Sequence, residues 1–305
     1  MTTLATGVSY IDLRFQGVGR VIATAVLQDK GGVALIDPGP SSTLPVLREE
    51  LARSGIGARD ITSLLLTHIH LDHAGASGTL VNENPRLRVF VHEKGAPHLV
   101  DPSKLLASAQ RLYGDDMDRL WGEVRPVAAE AVVVLRGGER LSIAGRQLEI
   151  AYTPGHASHH VSYFSRETGL AFVGDTAGIR LSPGAYVLPP TPPPDIDLEG
   201  WAVSLKTIDA WRPETLFLTH FGPSEPVEAH LREFADHLEL ASRLVKTSLA
   251  HEGTDEDREK WFVEELRREL RRSMDGERSF TYEVAGRFDL SWRGLARYWR
   301  KKLET

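Results

Sequence analysis

Thr67-His68-Ile69-His70-Leu71-Asp72-His73-Ala74-Gly75 follows an apolar run at 61–66 and places three imidazoles and a carboxylate within six residues. The run before it reads as a strand, since branched apolar side chains fill it. On extended backbone, alternation sends His68 and His70 to one side, and a turn into a helix at Asp72 aims Asp72 and His73 at a neighbouring point. That arrangement favours two adjacent metal positions over one.

The chain has 305 residues and no cysteine, which removes thiolate zinc sites, iron–sulfur ligation, disulfides and cysteine nucleophiles together. Any metal must then be held by His, Asp or Glu. Three more candidates each lie beyond the end of an expected strand: His156 in Thr153-Pro154-Gly155-His156, Asp175 in Val173-Gly174-Asp175-Thr176, and His220 in Leu218-Thr219-His220-Phe221-Gly222. Their glycine neighbours let the backbone bend toward a common mouth.

Outward from these motifs, strands are expected at 21–27 and 33–36, joined by a Gly-Gly hairpin, and at 61–66, 87–91, 131–135, 141–143, 147–152, 161–164, 170–173 and 215–218. Helices are expected at 42–54, capped by Ser41 or Ser42, at 102–113 and at 198–211. This alternation predicts an α/β chain of two mixed sheets with helices on their outer faces. A proline-rich loop at 182–197 is stiff and cannot join a sheet, and its Tyr186, Val187 and Leu188 are candidates for an apolar lid.

From residue 226 the pattern changes to long charged helices, at 227–251, 255–274 and 291–303. The chain therefore divides into a catalytic domain, 1–224, and a C-terminal helical extension, 225–305, that shapes access or forms a homo-oligomer. The extension carries 16 Lys/Arg and 18 Asp/Glu, with a basic patch at 287–302.

With 41% apolar and 26% charged residues the composition is that of a globular protein. No run approaches the ~18 apolar residues of a membrane span, and the first residues carry no secretory pattern, so no membrane partner and a cytoplasmic location are expected. A net charge of −6 argues against nucleic acid as partner and for a small-molecule substrate.

The motif set, together with Leu35-Ile36-Asp37-Pro38-Gly39, resembles the metallo-β-lactamase-fold superfamily, and within it the dinuclear hydrolases of the glyoxalase II and lactonase type. The resemblance covers about residues 18–222 and implies a four-layer αββα sandwich. It implies two divalent metal ions, with zinc first and iron or manganese open: His68, His70 and His156 on one, Asp72, His73 and His220 on the other, Asp175 bridging. It also implies hydrolysis of an ester, thioester or lactone by a metal-bridging hydroxide, with Asp72 carrying protons.

Alternatives on the same fold are a phosphodiesterase or RNA-processing nuclease and an iron-dependent sulfur dioxygenase or oxygen reductase. The chain departs from glyoxalase II in lacking a Lys and Tyr shortly after Asp175, where it has Ala177-Gly178-Ile179-Arg180 and, later, Tyr186. Asp37 and His160 are expected behind the ligands, and Arg180 and Tyr186 on the pocket wall. His159 is expected to be exposed, and His92, His98, His230, His237 and His251 to be solvated.

Overall fold

The computed structural model describes residues 1–273 and 276–304. Its first sheet runs in sequence order through β1 (Thr2–Ala5), β2 (Val8–Asp12), β3 (Ala23–Asp29), β4 (Gly32–Ile36), β5 (Ile61–Leu65), β6 (Arg88–His92) and β7 (Val132–Leu135). The strands are antiparallel up to β4 and parallel from β4 to β7. The second sheet contains β8 (Arg140–Ile143), β9 (Arg146–Tyr152), β10 (Val161–Ser165), β11 (Leu170–Phe172), β12 (Thr215–Leu218) and β13 (Gly222–Ser224). Its order is β13-β12-β11-β10-β9-β8, and only β11 and β12 pair in parallel.

Period-two alternation divides the first sheet between two cores. In β4, Val33 and Leu35 point to the outer core, whereas Ala34 and Ile36 point to the inner core shared with the second sheet. A strand buried on both faces needs such a continuous apolar run. The outer core is completed by α1 (Leu44–Arg53), α2 (Leu71–Ala74), α3 (Ser77–Glu83), α4 (Ala96–Val100), α5 (Ser103–Tyr113) and α6 (Met117–Trp121).

On the far side of the second sheet lie α7 (Leu198–Ala210), α8 (Val227–Leu249), α9 (Asp255–Ser273), α10 (Gly276–Gly286) and α11 (Phe288–Leu303). Buried Leu231, Phe234, Leu238 and Val245 of α8 recur at helical spacing, and they join the same core as Trp201 and Phe172. Helix α11 lies hard against the proline loop: a Cβ on Gly294 would stand 2.0 Å from the Thr191 carbonyl oxygen.

Several details differ from expectation. Neither Ser41 nor Ser42 caps α1: Ser41 Oγ donates to the Gly75 carbonyl and Ser42 Oγ to that of Leu120, so both tie loops together instead. The β1–β2 hairpin and α10 carry too little periodicity to be read from sequence, and the expected end of α9 at Met274 lies outside the described residues. Tyr186, Val187 and Leu188 are buried in the inner core rather than forming a lid. The basic patch is largely neutralised, since Arg293 pairs with Glu259, Arg300 with Asp255, and Lys302 with Glu199.

Phe234 is fully buried, its ring centroid 5.4 Å from that of Trp201. Phe234→Ala should lower unfolding stability by about 3–5 kcal/mol. Urea denaturation checks this: a loss below about 1 kcal/mol would mean that α8 is not integral to the core.

Candidate metal centre

Most motif side chains reach the centre from beyond a strand end, and two come from a short helix. Beyond β5 come Thr67 and His68; beyond β12 come Thr219 and His220; beyond β11 comes Asp175. Gly174, at φ +47°, allows the last of these turns, because a Cβ there would stand 2.5 Å from Thr67 Oγ1 and 2.7 Å from His160 Nε2. The helix α2 opens at Leu71 and carries Asp72 and His73.

The seven candidates converge in three overlapping donor sets, namely His68–His70–His156, His68–His73–Asp175 and Asp72–His73–His220, each with its donor atoms within 4.8 Å of one another. Asp175 stands between the outer two sets. Its Oδ2 lies 3.3 Å from His156 Nε2, and its Oδ1 lies 3.3 Å from His73 Nε2 and 3.5 Å from His220 Nε2.

The outer contacts of the imidazoles set which nitrogen faces inward. His156 Nδ1 meets the Pro190 carbonyl at 2.8 Å, His220 Nδ1 meets that of Val21 at 2.6 Å, and His73 Nδ1 meets Asp37 Oδ2 at 2.8 Å. Since these oxygens only accept, each Nδ1 carries the proton and each Nε2 turns a lone pair to the centre. His68 Nε2 and His156 Nε2 both lie 2.9 Å from His70 Nδ1, which can donate to only one of them. His73 Nε2 and Asp175 Oδ1 are buried without any hydrogen-bond partner. Converging lone pairs and orphaned buried donors fit divalent cations, and nitrogen and oxygen without sulfur suits zinc, iron or manganese.

Electrostatics point the same way. Burial drives His68 well below the ordinary imidazole range, with His73 and His70 adding to the effect, and burial and His156 bring His70 to about 4. Burial alone would raise Asp72 and Asp175. His73 and His220 outweigh it, holding Asp72 at about 2 and Asp175 well below the carboxylate range. His73, which burial would lower, is instead held well above its usual range by Asp175, Asp72 and Asp37. The carboxylates thus demand positive charge at the centre.

Asp37 is fully buried and lies behind the donors. Its Oδ2 accepts from His73 Nδ1, Thr67 Oγ1 and Thr219 Oγ1, and its Oδ1 from the Thr67 backbone N–H. The two threonines were not singled out from sequence, although a signal existed: Leu-Thr-His recurs at 66–68 and 218–220. His160 also lies behind the donors, where its Nδ1 meets Thr153 Oγ1 at 3.0 Å.

Other expectations are corrected. Arg180 and Tyr186 do not line the cavity above the centre. The Arg180 guanidinium turns to Glu233, Ser224 and the Ala185 carbonyl, while Tyr186 stacks on His237 with ring centroids 3.7 Å apart. His159 is buried beside His68 and His70, His92 stacks on Tyr152, and fully buried His230 bonds Ser224 Oγ and the Ala177 carbonyl. Ring stacking and hydrogen bonds from distant segments hold these rings inside.

Five of the donors, His70, Asp72, His156, Asp175 and His220, line a cavity of about 740 Å³. Its walls come from residues 15–22, from α4 to α6, from Pro190 and Pro192–Pro194, and from α10 and the start of α11.

Residues 18–220 match the model of the metallo-β-lactamase superfamily, and the chain belongs to that superfamily. It is 30% identical over 182 residues to a metallo-β-lactamase fold-containing protein of Sulfurisphaera tokodaii, covering 58% of this chain and 67% of that one. It is also 30% identical over 148 residues to a hydroxyacylglutathione hydrolase of Synechococcus, covering 48% and 45%. The chain thus spans about half the length of the hydroxyacylglutathione hydrolases it matches. A crystal structure of a metallo-β-lactamase family protein from Thermus thermophilus superposes with a TM-score of 0.73 at 23% identity, covering 98% of this chain and 95% of that one. That likeness in fold therefore extends over the C-terminal helices.

Asp37→Asn removes the charge behind His73 and turns one of the two acceptor oxygens into a donor, and should weaken metal affinity about 10–100-fold with the fold retained. Competition titration against a chelator measures this, and unchanged affinity would show that Asp37 does not set the His73 tautomer. Asp175→Ala, which removes the carboxylate standing between the outer two donor sets, should lose more metal than His220→Ala, which touches one of them, as read by elemental analysis.

Proposed function

We propose that this chain is a metal-dependent hydrolase of esters, thioesters or lactones, with two divalent ions, zinc first, in the donor sets. His68, His70 and His156 would hold one ion, Asp72, His73 and His220 the other, with Asp175 between them. The reading is carried by the reach of Asp175, whose two oxygens face different histidine groups. Ions there would polarise a substrate carbonyl and acidify water.

The chain's own groups do the rest. Asp37 and the backbone carbonyls keep the imidazoles in one tautomer. Asp72 is the carboxylate among the donors that retains exposure, 23% of its side chain, so it is placed to pass a proton between the centre and the cavity. The proline loop and the C-terminal helices limit water around the bond that breaks. The thioester branch is supported by the likeness to hydroxyacylglutathione hydrolases. With Arg180 and Tyr186 turned away, however, no cation or phenol just after Asp175 grips a glutathione moiety. In the same reading, residues 225–305 are an extension that shapes access and contributes no metal ligand.

Protein freed of metal and then reloaded should hydrolyse carbonyl substrates only in the loaded form, with kcat/KM at least about tenfold above that for phosphodiesters. Faster phosphodiester or RNA cleavage, falling steeply with salt, would replace this reading with the nuclease alternative.

A further inference from the structure

The cavity is polar on one flank and apolar on the other, and the donors lie between. On the flank of His70 and His156, the turn after β6 packs against the site: a Cβ on Gly95 would meet Ile69 at 2.8 Å and His159 at 3.5 Å. This turn, α4 and the start of α5 bring Lys94, His98 and Lys104, respectively, to the cavity. Neither lysine enters an ion pair among the described residues, and the Lys94 ammonium donates only to the Tyr152 hydroxyl. The other cavity cations are occupied, Arg119 by Asp116 and Arg287 by Asp289.

The flank of His220 is different. Val21, whose carbonyl holds His220, leads to Phe15, which stacks on Trp121 with ring centroids 5.6 Å apart; Tyr113 meets Trp121 edge-on. Leu105, Leu112 and Leu120 from α5 and α6 face Val284 and Leu290 across this side. Helix α5 is amphipathic, yet Ala109 is its only fully buried side chain. Ala109 joins the outer core and Leu105 packs against it, yet both also line the cavity, and Leu112 extends that apolar stripe along the cavity wall. From Lys104 to Leu112 the helix rises ~12 Å, enough to span an extended acyl chain and its head group.

We infer that the substrate is an amphiphilic acyl ester or thioester, with its scissile carbonyl over the donors. Its apolar acyl chain lies in the chamber between α5, α6 and the C-terminal helices, and its anionic leaving group lies against Lys94, His98 and Lys104. This rests on the hydrolase reading. Water contributes its hydroxyl to the acyl carbon, the bond from that carbon to sulfur or oxygen breaks, and the remaining proton goes to the leaving thiolate or alkoxide. The products are a free carboxylic acid and a free thiol or alcohol.

The test uses the metal-loaded full chain and two series of thioesters. Lengthening the acyl group from acetyl to octanoyl on coenzyme A should raise kcat/KM by about threefold to fourfold per methylene while the chamber fills. Moving octanoyl from coenzyme A, which is polyanionic, to neutral N-acetylcysteamine should lower kcat/KM about tenfold, a gap that closes in high salt. Leu112→Asp should erase the first dependence, and the double variant Lys94→Gln, Lys104→Gln the second. Metal-dependent hydrolysis that stays flat along either series in the unmodified chain overturns the inference. No metal-dependent hydrolysis of any ester, thioester or lactone would instead bring down the hydrolase reading on which it stands.

Discussion

A single buried carboxylate joins the two sheets. Asp37 leaves the end of β4 in the first sheet and accepts from Thr67 beyond β5, from Thr219 beyond β12 in the second sheet, and from His73 on α2. A charge removed from water is tolerable only where donors surround it, and here the donors fix two strand ends and a helix. The two Leu-Thr-His segments thereby present His68 and His220 to the centre from opposite sheets. The tautomer of His73 depends on that one group, and its bonds add to the Ala23–Thr219 and Val161–Thr67 backbone bonds that also cross between the sheets.

The strand framework was legible because a strand buried on both faces needs a short, nearly continuous apolar run, and β4, β5 and β12 have one within a residue or two of expectation. The donors were legible because strand ends followed by glycine or a tight turn concentrate chemistry in short motifs. Arg180 and Tyr186 were misplaced for the opposite reason. Nearness in sequence to Asp175 says nothing about direction, and one turn sends both side chains toward α8, where Glu233 and His237 receive them. His159 and His230 were misjudged because polar rings read as solvated until neighbours are known.

The cavity walls had no local signature. Phe15, Lys94, Leu112 and Leu290 meet only in three dimensions, and each alone reads as an ordinary surface or core residue. Charge counts were equally blind to arrangement. The run at 287–302 is a basic patch by count alone, yet Glu199, Asp255 and Glu259 consume much of it. The cations left without an ion pair at the cavity, Lys94 and Lys104, stand in stretches of no conspicuous charge. Surface ion pairs of this kind contribute little to stability, about 0–1 kcal/mol each; their effect is on which charges remain for a ligand.

The order of the chain also sets an order of assembly. The last of the converging donors is His220, whereas the far wall of the cavity comes from residues 283–290. During synthesis, chains emerge and fold from the N-terminal side, so every donor has left the ribosome some time before that wall exists. In a nascent chain the donor residues are therefore made before the helices that close the cavity. Synthesis of the donors and enclosure of the site are separate events in time.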